Sequence, residues 1–427
     1  MDAAILSKLL TPDGWALLGS LPPYDERQAM KTVTSLRDRG VAPDLAAAVV
    51  TQSRLRARAR AKFGDFADGM LFTADGLEQA TRLLVAALHA RRYLAAGVTA
   101  LADLTCGIGA DSLAFAGTGL RVVATDLDEA TAAIASWNLR HFPEAEVRHG
   151  DGLALDLRAE GIDGLYADPA RRTGGGANGR SRRIVDPRAY APPLDAVWAL
   201  REAVPAVGLK VGPGIAHEGL PDDAETQWVS VDGDVVEAGL WFGPLAPDGP
   251  GRSALVLRTF TDEDGKEHPL SRTVRGDDDA PEVGAVGQYL YEPDGAVIRA
   301  GLVGQAAAEL GGRLVDPTIA YVTTDSPADL PSARPAEPAG AQAPIATGYR
   351  VLDTMPFGLK RLKAYLRERG VGRVTIKKRG TAVVPEQLRK QLVLTGTEEA
   401  TIVLTRVAGN QQVLVVEPLG GTPQGTA

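Results

Sequence analysis

Three carboxylates stand at the ends of three short strand-like runs: Asp103, Asp126 and Asp151. The first opens the stretch Asp103-Leu104-Thr105-Cys106-Gly107-Ile108-Gly109-Ala110-Asp111, the pattern of a strand running into a glycine turn and then a helix. Glycines at 107 and 109 let a ligand approach the backbone at a helix N-terminus, which a Cβ would obstruct. A carboxylate at position 103 suits a cationic ligand, such as one bearing a sulfonium and an α-amino group, and repels a dinucleotide pyrophosphate. Ser112 stands where the dinucleotide pattern G-x-G-x-x-G needs its third glycine, which weakens that alternative further. Asp126 lies seventeen residues after Gly109, the place from which a carboxylate accepts hydrogen bonds from ribose hydroxyls. Asp151, after His149-Gly150, can receive an adenine amino group. Any one of the three reads equally well as a loop acid capping the next helix. At three successive strand ends they point to a nucleoside site.

A second constellation lies at Gly164-Leu165-Tyr166-Ala167-Asp168-Pro169-Ala170-Arg171-Arg172. An acid followed by rigid proline can accept both hydrogens of an amine, on the carboxylate and the neighbouring carbonyl, and so aim the nitrogen lone pair. Arg171 can stack on a base or grip a phosphate, and can equally pair with an acid. Arg172 is its neighbour, and Arg180, Arg182, Arg183 and Arg188 follow among glycines as a basic lid or a solvated loop. Lys210, in Val207-Gly208-Leu209-Lys210-Val211, either meets a ligand anion or pairs with Asp168. Cys106 sits inside the glycine turn, away from the second constellation, so it reads as packing or ligand contact and not as a nucleophile.

Alternating strands and helices must hold these residues. Strands are expected at Ala100 to Leu104, Arg121 to Thr125, Glu146 to His149, Gly164 to Ala167 and Val207 to Val211, with helices at Ser112 to Ala116, Glu129 to Leu139 and Leu194 to Ala203. This alternation predicts an α/β fold, a doubly wound, Rossmann-like parallel sheet that binds ligands at its strand C-terminal ends. Residues 1–75 read as a helical region, with helices over Asp25 to Arg39 and Leu45 to Lys62 stopped by Gly40 and Gly64. A further helix is expected from Gly76 to Leu94. Extended segments follow at Gln227 to Val231, Val235 to Phe242 and Ser253 to Phe260, and the stretches Asp262 to Lys266 and Gly276 to Pro281 suggest a boundary. The expected domains are therefore 1–75, 76–275 and 284–420, the last containing a Pro/Ala/Ser-rich loop at 326–344.

At 427 residues the chain exceeds one compact core. Its 44% hydrophobic and 23% charged residues are those of a globular protein, and no apolar run reaches membrane-helix length. A single cysteine excludes internal disulfides, and five scattered histidines offer no zinc spacing, so no metal is expected. The start does not read as a secretory signal, which places the chain in the cytoplasm. A net charge of -8 argues against wholesale coating of nucleic acid. Residues 350–379 nevertheless hold ten basic residues against Asp353 and Glu368, with Lys360, Lys363 and Arg367 at helical spacing and Lys377, Lys378 and Arg379 in one run.

The turn from Asp103 to Gly109, with the acid at 126, resembles the class I S-adenosylmethionine-dependent methyltransferases over residues 72–215. That resemblance implies S-adenosylmethionine as methyl donor, held by Thr73, Asp103, Thr105, Cys106, Gly107, Gly109, Asp126 and Asp151. Asp168-Pro169-Ala170-Arg171 resembles the D/N-P-P-Y/F/W sequence of amino-group methyltransferases, with Arg171 where that pattern has an aromatic ring. Asp168, Pro169 and Arg171 would then serve catalysis, and Arg172 and Lys210 the acceptor. The segments Tyr289 to Gly301, Arg350 to Lys363, Val371 to Gly380 and Thr401 to Arg406 resemble the THUMP-like domain of a bacterial group of these enzymes. This likeness implies an RNA partner, transfer or ribosomal, gripped through Lys360, Lys363, Lys377, Lys378 and Arg379, and methylated on a base amino group. The alternatives are methylation of a small molecule or protein, and an RNA-binding module with a non-catalytic donor pocket.

Overall fold

The structure is a computed structural model that describes residues 3–169, 190–276, 280–331 and 340–419. The chain folds as two compact units, Met1–Val211 with Leu240–Gly249, and Gly212–Gly239 with Pro250–Ala427. The division does not follow the expected boundaries near residues 75 and 280. The N-terminal helices belong to the same unit as the parallel sheet, and the second unit begins directly after the strand carrying Lys210.

The first unit starts with α1 (Ala3–Leu9), α2 (Pro12–Gly19), α3 (Ala29–Asp38) and α4 (Pro43–Phe63). Pro12 at the first turn and the Thr11 hydroxyl, which accepts from Gly14 N, start α2. Gly64, with φ of 55°, ends α4. The helix expected over Gly76 to Leu94 is two helices, α5 (Ala74–Gln79) and α6 (Leu83–Ala95). Lys62 breaks it: its Nζ donates to the carbonyls of Leu77, Glu78 and Ala80 at 2.7–2.8 Å and takes up the C-terminal carbonyls of α5.

The parallel strands are β1 (Ala100–Asp103), β2 (Arg121–Asp126), β3 (Ala145–His149), β4 (Gly164–Ala167) and β5 (Ala206–Val211). Between them lie α7 (Ala110–Gly117), α8 (Glu129–Leu139) and α9 (Leu194–Ala199). The strand order is β3-β2-β1-β4-β5, the order of a Rossmann-like α/β fold. Registers Asp103↔Ala124, Asp126↔His149 and Asp103↔Tyr166 put the C-terminal ends of β1 to β4 at one edge. The chain leaves β1 toward β2 on one side and returns to β4 on the other, so the crevice of the switch point opens above β1. Behind β5, Tyr93, Phe115, Tyr166 and Trp241 pack ring against ring. A Cβ on Gly208 would lie 2.6 Å from Trp241 Cζ3, which explains the glycine in an otherwise apolar strand.

The strand β7 (Asp234–Phe242) enters this unit at Leu240. In the second unit it is followed in sheet order by β6 (Ala224–Val231), β8 (Gly251–Thr261) and β9 (Glu267–Arg275). The acidic stretch Asp262 to Lys266 is a hairpin turn joining β8 to the antiparallel β9, a strand the sequence reading did not anticipate. Asp262 accepts from Asp264 N and Lys266 N, the local bonds that turn-forming aspartates make.

The rest of this unit is β10 (Tyr289–Pro293), α10 (Gly295–Arg299), α11 (Val303–Leu310), β11 (Arg313–Asp316), β12 (Ile319–Thr324), β13 (Ala346–Pro356), α12 (Leu359–Glu368), β14 (Val371–Lys378), α13 (Pro385–Leu392), β15 (Glu398–Val407) and β16 (Asn410–Pro418). They form a seven-stranded sheet, β11-β12-β10-β13-β16-β15-β14. Leu362 and Leu366 of α12 and Leu388 and Leu392 of α13 are buried in one core with Val374, Ile402 and Val413 of the strands. The stretch 332–339, within the expected loop at 326–344, lies outside the described residues.

Candidate active site

Asp103 ends β1 and is 1% exposed. Ser112 Oγ donates to its Oδ2 at 2.5 Å, and Thr105 N donates to Oδ1 at 3.3 Å. Burial drives its pKa up to about 7, and the negative charges of Asp111 and Asp168 add to the rise against the lowering effect of these two donors. Gly107 and Gly109 have φ of 54° and 83°, the left-handed region that a side chain disfavours. Gly109 caps α7, so the turn delivers the N-terminus of that helix to the crevice.

Asp126 is half-buried at the end of β2. Its Oδ2 accepts from Gly107 N at 3.0 Å and its Oδ1 from Asp128 N at 2.9 Å. Burial raises its pKa. The neighbouring Leu127 is 65% exposed, an apolar side chain left in solvent beside the turn. Its carbonyl accepts from His149 Nε2 at 3.1 Å. Asp151 is exposed and accepts from Leu153 N at 3.0 Å, the capping role weighed for it in the sequence. Cys106 is buried, and burial and the carboxylates of Asp103 and Asp126 push its thiol up. It stays a thiol, not a nucleophilic thiolate.

The approach from the N-terminal side is clamped by two amides. Gln52 donates to Phe72 O at 2.7 Å and accepts from Phe72 N at 3.0 Å. Asn138 accepts from Leu71 N at 2.8 Å and donates to Leu71 O and Ile108 O at 3.1 and 2.8 Å. Two residues further on, Thr73 caps α5 by accepting from Gly76 N at 2.9 Å, and a Cβ on Gly76 would sit 2.5 Å from Ile108 Cγ2. The segment carrying Thr73 is thereby pinned against the glycine turn.

At the end of β4, Asp168 N donates to Thr105 Oγ1 at 2.7 Å, tying this strand end to the turn after β1. Lys210, whose side chain is 7% exposed, places Nζ 2.5 Å from Asp168 Oδ2. This is the pair with Asp168, one of the two roles open for Lys210 in the sequence. Lys210 also donates to Thr81 Oγ1 at 2.8 Å. Thr81 in turn donates to Asp111 Oδ2 at 2.6 Å, and His89 Nδ1 donates to Asp111 Oδ1 at 3.0 Å. Burial opposes the charge of Asp111, but His89, Lys210 and Thr81 outweigh it and hold its pKa below the usual value. Pro169 is buried; Arg171, Arg172 and the arginines at 180–188 lie outside the described residues.

The sequence reading missed Ser112, Thr81, His89 and Asp111 as members of the site. Ser112 carried a signal: its hydroxyl lies in the first turn of the helix that follows Asp103 and the glycine turn, at the place where a third glycine would have no side chain to donate. Thr81 was less visible, because an unbroken helix across Gly76 to Leu94 hides the bend that turns it inward.

In the second unit the expected basic run divides. Lys377 and Arg379 converge on Glu292 at 2.9 and 3.4 Å, and Lys378 donates to Val383 O at 2.9 Å. Lys360 and Arg367 are exposed on α12 with Lys363 half-buried between them. Among the described residues no group of histidine, cysteine or acidic side chains is arranged to hold a metal, and no helix is long and apolar enough to cross a membrane.

Two strains of Mycobacterium tuberculosis, CDC 1551 and H37Rv, each hold an uncharacterized S-adenosylmethionine-dependent methyltransferase that is 33% identical to this chain over 376 residues, 85% of this chain and 94% of the relative. The chain belongs to the S-adenosylmethionine-dependent methyltransferases. A THUMP domain-like family matches this methyltransferase at residues 346–418, and a domain of unknown function matches residues 2–59. A crystal structure from Porphyromonas gingivalis W83, of a protein classed as a candidate methyltransferase, covers 92% of the chain and 99% of its own length with a TM-score of 0.65 at 21% identity, a likeness of fold.

The residues at the crevice fit the methyl donor of this family. Asp103 offers a carboxylate whose ionisation is held back by burial and neighbouring acids, the setting in which a bound cation is favourable. Asp126 offers the half-buried acid at the next strand end, with an exposed apolar neighbour in Leu127.

Proposed function

We propose that this methyltransferase modifies an exocyclic amino group of a base in RNA, transfer or ribosomal, in the cytoplasm. The observation that carries this reading is Asp168, an acid followed by proline at the end of β4, on the same sheet edge as Asp103 and Asp126 and paired with Lys210. Asp103 takes the cationic amino-acid end of the donor, and Asp126 takes the ribose hydroxyls. Thr73, Thr105, Cys106, Gly107, Gly109 and Asp151 complete the wall. S-adenosylmethionine supplies an electrophilic methyl carbon whose bond to sulfur breaks with its electron pair going to sulfur. The Asp168 carboxylate and the carbonyl beside Pro169 accept the amine hydrogens and aim the nitrogen lone pair along the breaking bond. The nitrogen loses its surplus proton after transfer, so no strong base is required.

The match to the THUMP domain-like family and the exposed Lys360 and Arg367 support RNA as the acceptor. Arg171 and Arg172 are proposed to contact the base and its phosphate, and Lys363 and Lys378 to join the backbone grip. The pairing of Lys377 and Arg379 with Glu292, together with the net charge of -8, favours a second reading, methylation of a small molecule or protein. Nucleosides from total RNA of cells with and without the chain, compared by mass spectrometry, decide between them. Loss of one N-methylated nucleoside supports RNA; an unchanged profile refutes it.

A further inference from the structure

We infer that Lys210 is the positioning residue of Asp168, keeping it a carboxylate, and that Thr81, Asp111 and His89 form the buried chain that holds Lys210 in place. The inference rests on the proposed role of Asp168 as the acid that meets the acceptor amine. Each link comes from a different element: Asp168 from the end of β4, Lys210 from β5, Thr81 from the bend between α5 and α6, Asp111 from the first turn of α7 and His89 from α6. The direction of the bonds is fixed. The single Thr81 hydrogen goes to Asp111, so its lone pair must take a hydrogen from Lys210, and Lys210 is a donor at both ends.

The charges around the site explain why such a device is needed. Asp103 faces Asp168 from β1, and Asp111 on α7 lies beyond Lys210 and Thr81. On the cationic side stand Lys210 and Lys62 of α4, which faces Lys210 and Arg82, while His89 of α6 bonds to Asp111. The negative charge of Asp103 beside Asp168 favours its protonation, and the Lys210 ammonium opposes it. A protonated Asp168 would present O–H toward the amine, a donor facing a donor. Lys62 serves the same end indirectly: its bonds to Leu77, Glu78 and Ala80 make the bend that turns Thr81 inward. The chain also links the two halves of the reaction, because Asp111 belongs to the helix that the glycine turn delivers to the donor.

The test needs no acceptor. The full chain labelled with 13C at aspartate Cγ, with Asp168 assigned by Asp168→Asn, is titrated by NMR. In Lys210→Met the Asp168 midpoint is expected to rise by about one pH unit or more, a tenfold change in the ionised population. Lys210→Arg restores it to near the wild-type value, and Thr81→Val raises it in the same direction by less. Calorimetry with adenosylhomocysteine at high pH identifies variants that remain folded; should Lys210→Met not fold, Thr81→Val carries the test. An Asp168 midpoint unmoved in the folded variants overturns the inference. Methyl transfer from labelled donor to bulk RNA of cells lacking the chain is measured in parallel. A shifted midpoint with no transfer by the wild type would leave the wiring intact and refute the RNA reading; an unshifted midpoint with active wild type would do the reverse.

Discussion

Replacing Asp103 by asparagine should strengthen the free protein and abolish its grip on the donor. The carboxylate is buried and has a pKa of about 7, against 3.8 for an ordinary aspartate. Between those values the native state keeps a proton that the unfolded chain gives up, so stability falls as pH rises through this window and is lowest above pH 7. At about 1.4 kcal/mol per pH unit the cost approaches roughly 4 kcal/mol at pH 8, an order-of-magnitude figure. Asparagine keeps an oxygen to accept from Ser112 or Thr105 and removes the charge, so the variant should melt several degrees higher at pH 8. The donor's ammonium needs the ionised form. Wild-type affinity for adenosylhomocysteine should therefore drop about tenfold from pH 8 to pH 6, following the fraction of ionised Asp103, with proton release on binding at pH 6. Calorimetry in two buffers of different ionisation enthalpy reads both quantities. Asp103→Asn should bind weakly at every pH. A wild-type affinity flat between pH 6 and pH 8, or a variant that binds as tightly as wild type, would refute the reasoning.

Three further outcomes follow from packing. Gly76→Ala places a Cβ 2.5 Å from Ile108 Cγ2 and 2.7 Å from Thr73 Oγ1, so thermal melts should show a loss of about 1–3 kcal/mol and calorimetry a weaker affinity for adenosylhomocysteine. Asn138→Ala leaves Leu71 N, Leu71 O and Ile108 O without their side-chain partner, and urea denaturation should record a loss of roughly 3 kcal/mol. Leu362→Ala empties a fully buried site under α12 and should cost the C-terminal sheet about 2–5 kcal/mol, seen as earlier protease cleavage within residues 346–418.

The parallel strands were legible because each is a short run closed by an acid or glycine, largely apolar in all but β3, and β4 and α8 fall on their expected limits. Asp103 and Asp126 were legible for the same reason: position at a strand end fixes the edge on which a side chain lies. What the sequence hid depends on contacts distant along the chain. The break between α5 and α6 is imposed by Lys62, a residue of a different helix, so the local apolar spacing reads straight through it. The pairing of Lys377 and Arg379 with Glu292 spans more than eighty residues, and a run of basic residues gives no hint of it. The hairpin at Asp262 to Lys266 looked like a boundary because acids and glycine mark turns and linkers alike. Strand β9 was passed over because its polar and apolar residues alternate only loosely, with Leu270 and Val274 its buried apolar positions.

A crystal structure of the full chain with adenosylhomocysteine tests most directly whether the donor acids and Asp168 serve one crevice. The expected complex has the amino group toward Asp103, the ribose hydroxyls on Asp126, and the sulfur turned toward Asp168 with room for a methyl group and an amine in line, reacting atoms about 3–3.5 Å apart. A ligand bound elsewhere, or one whose sulfur faces away from Asp168, would contradict it.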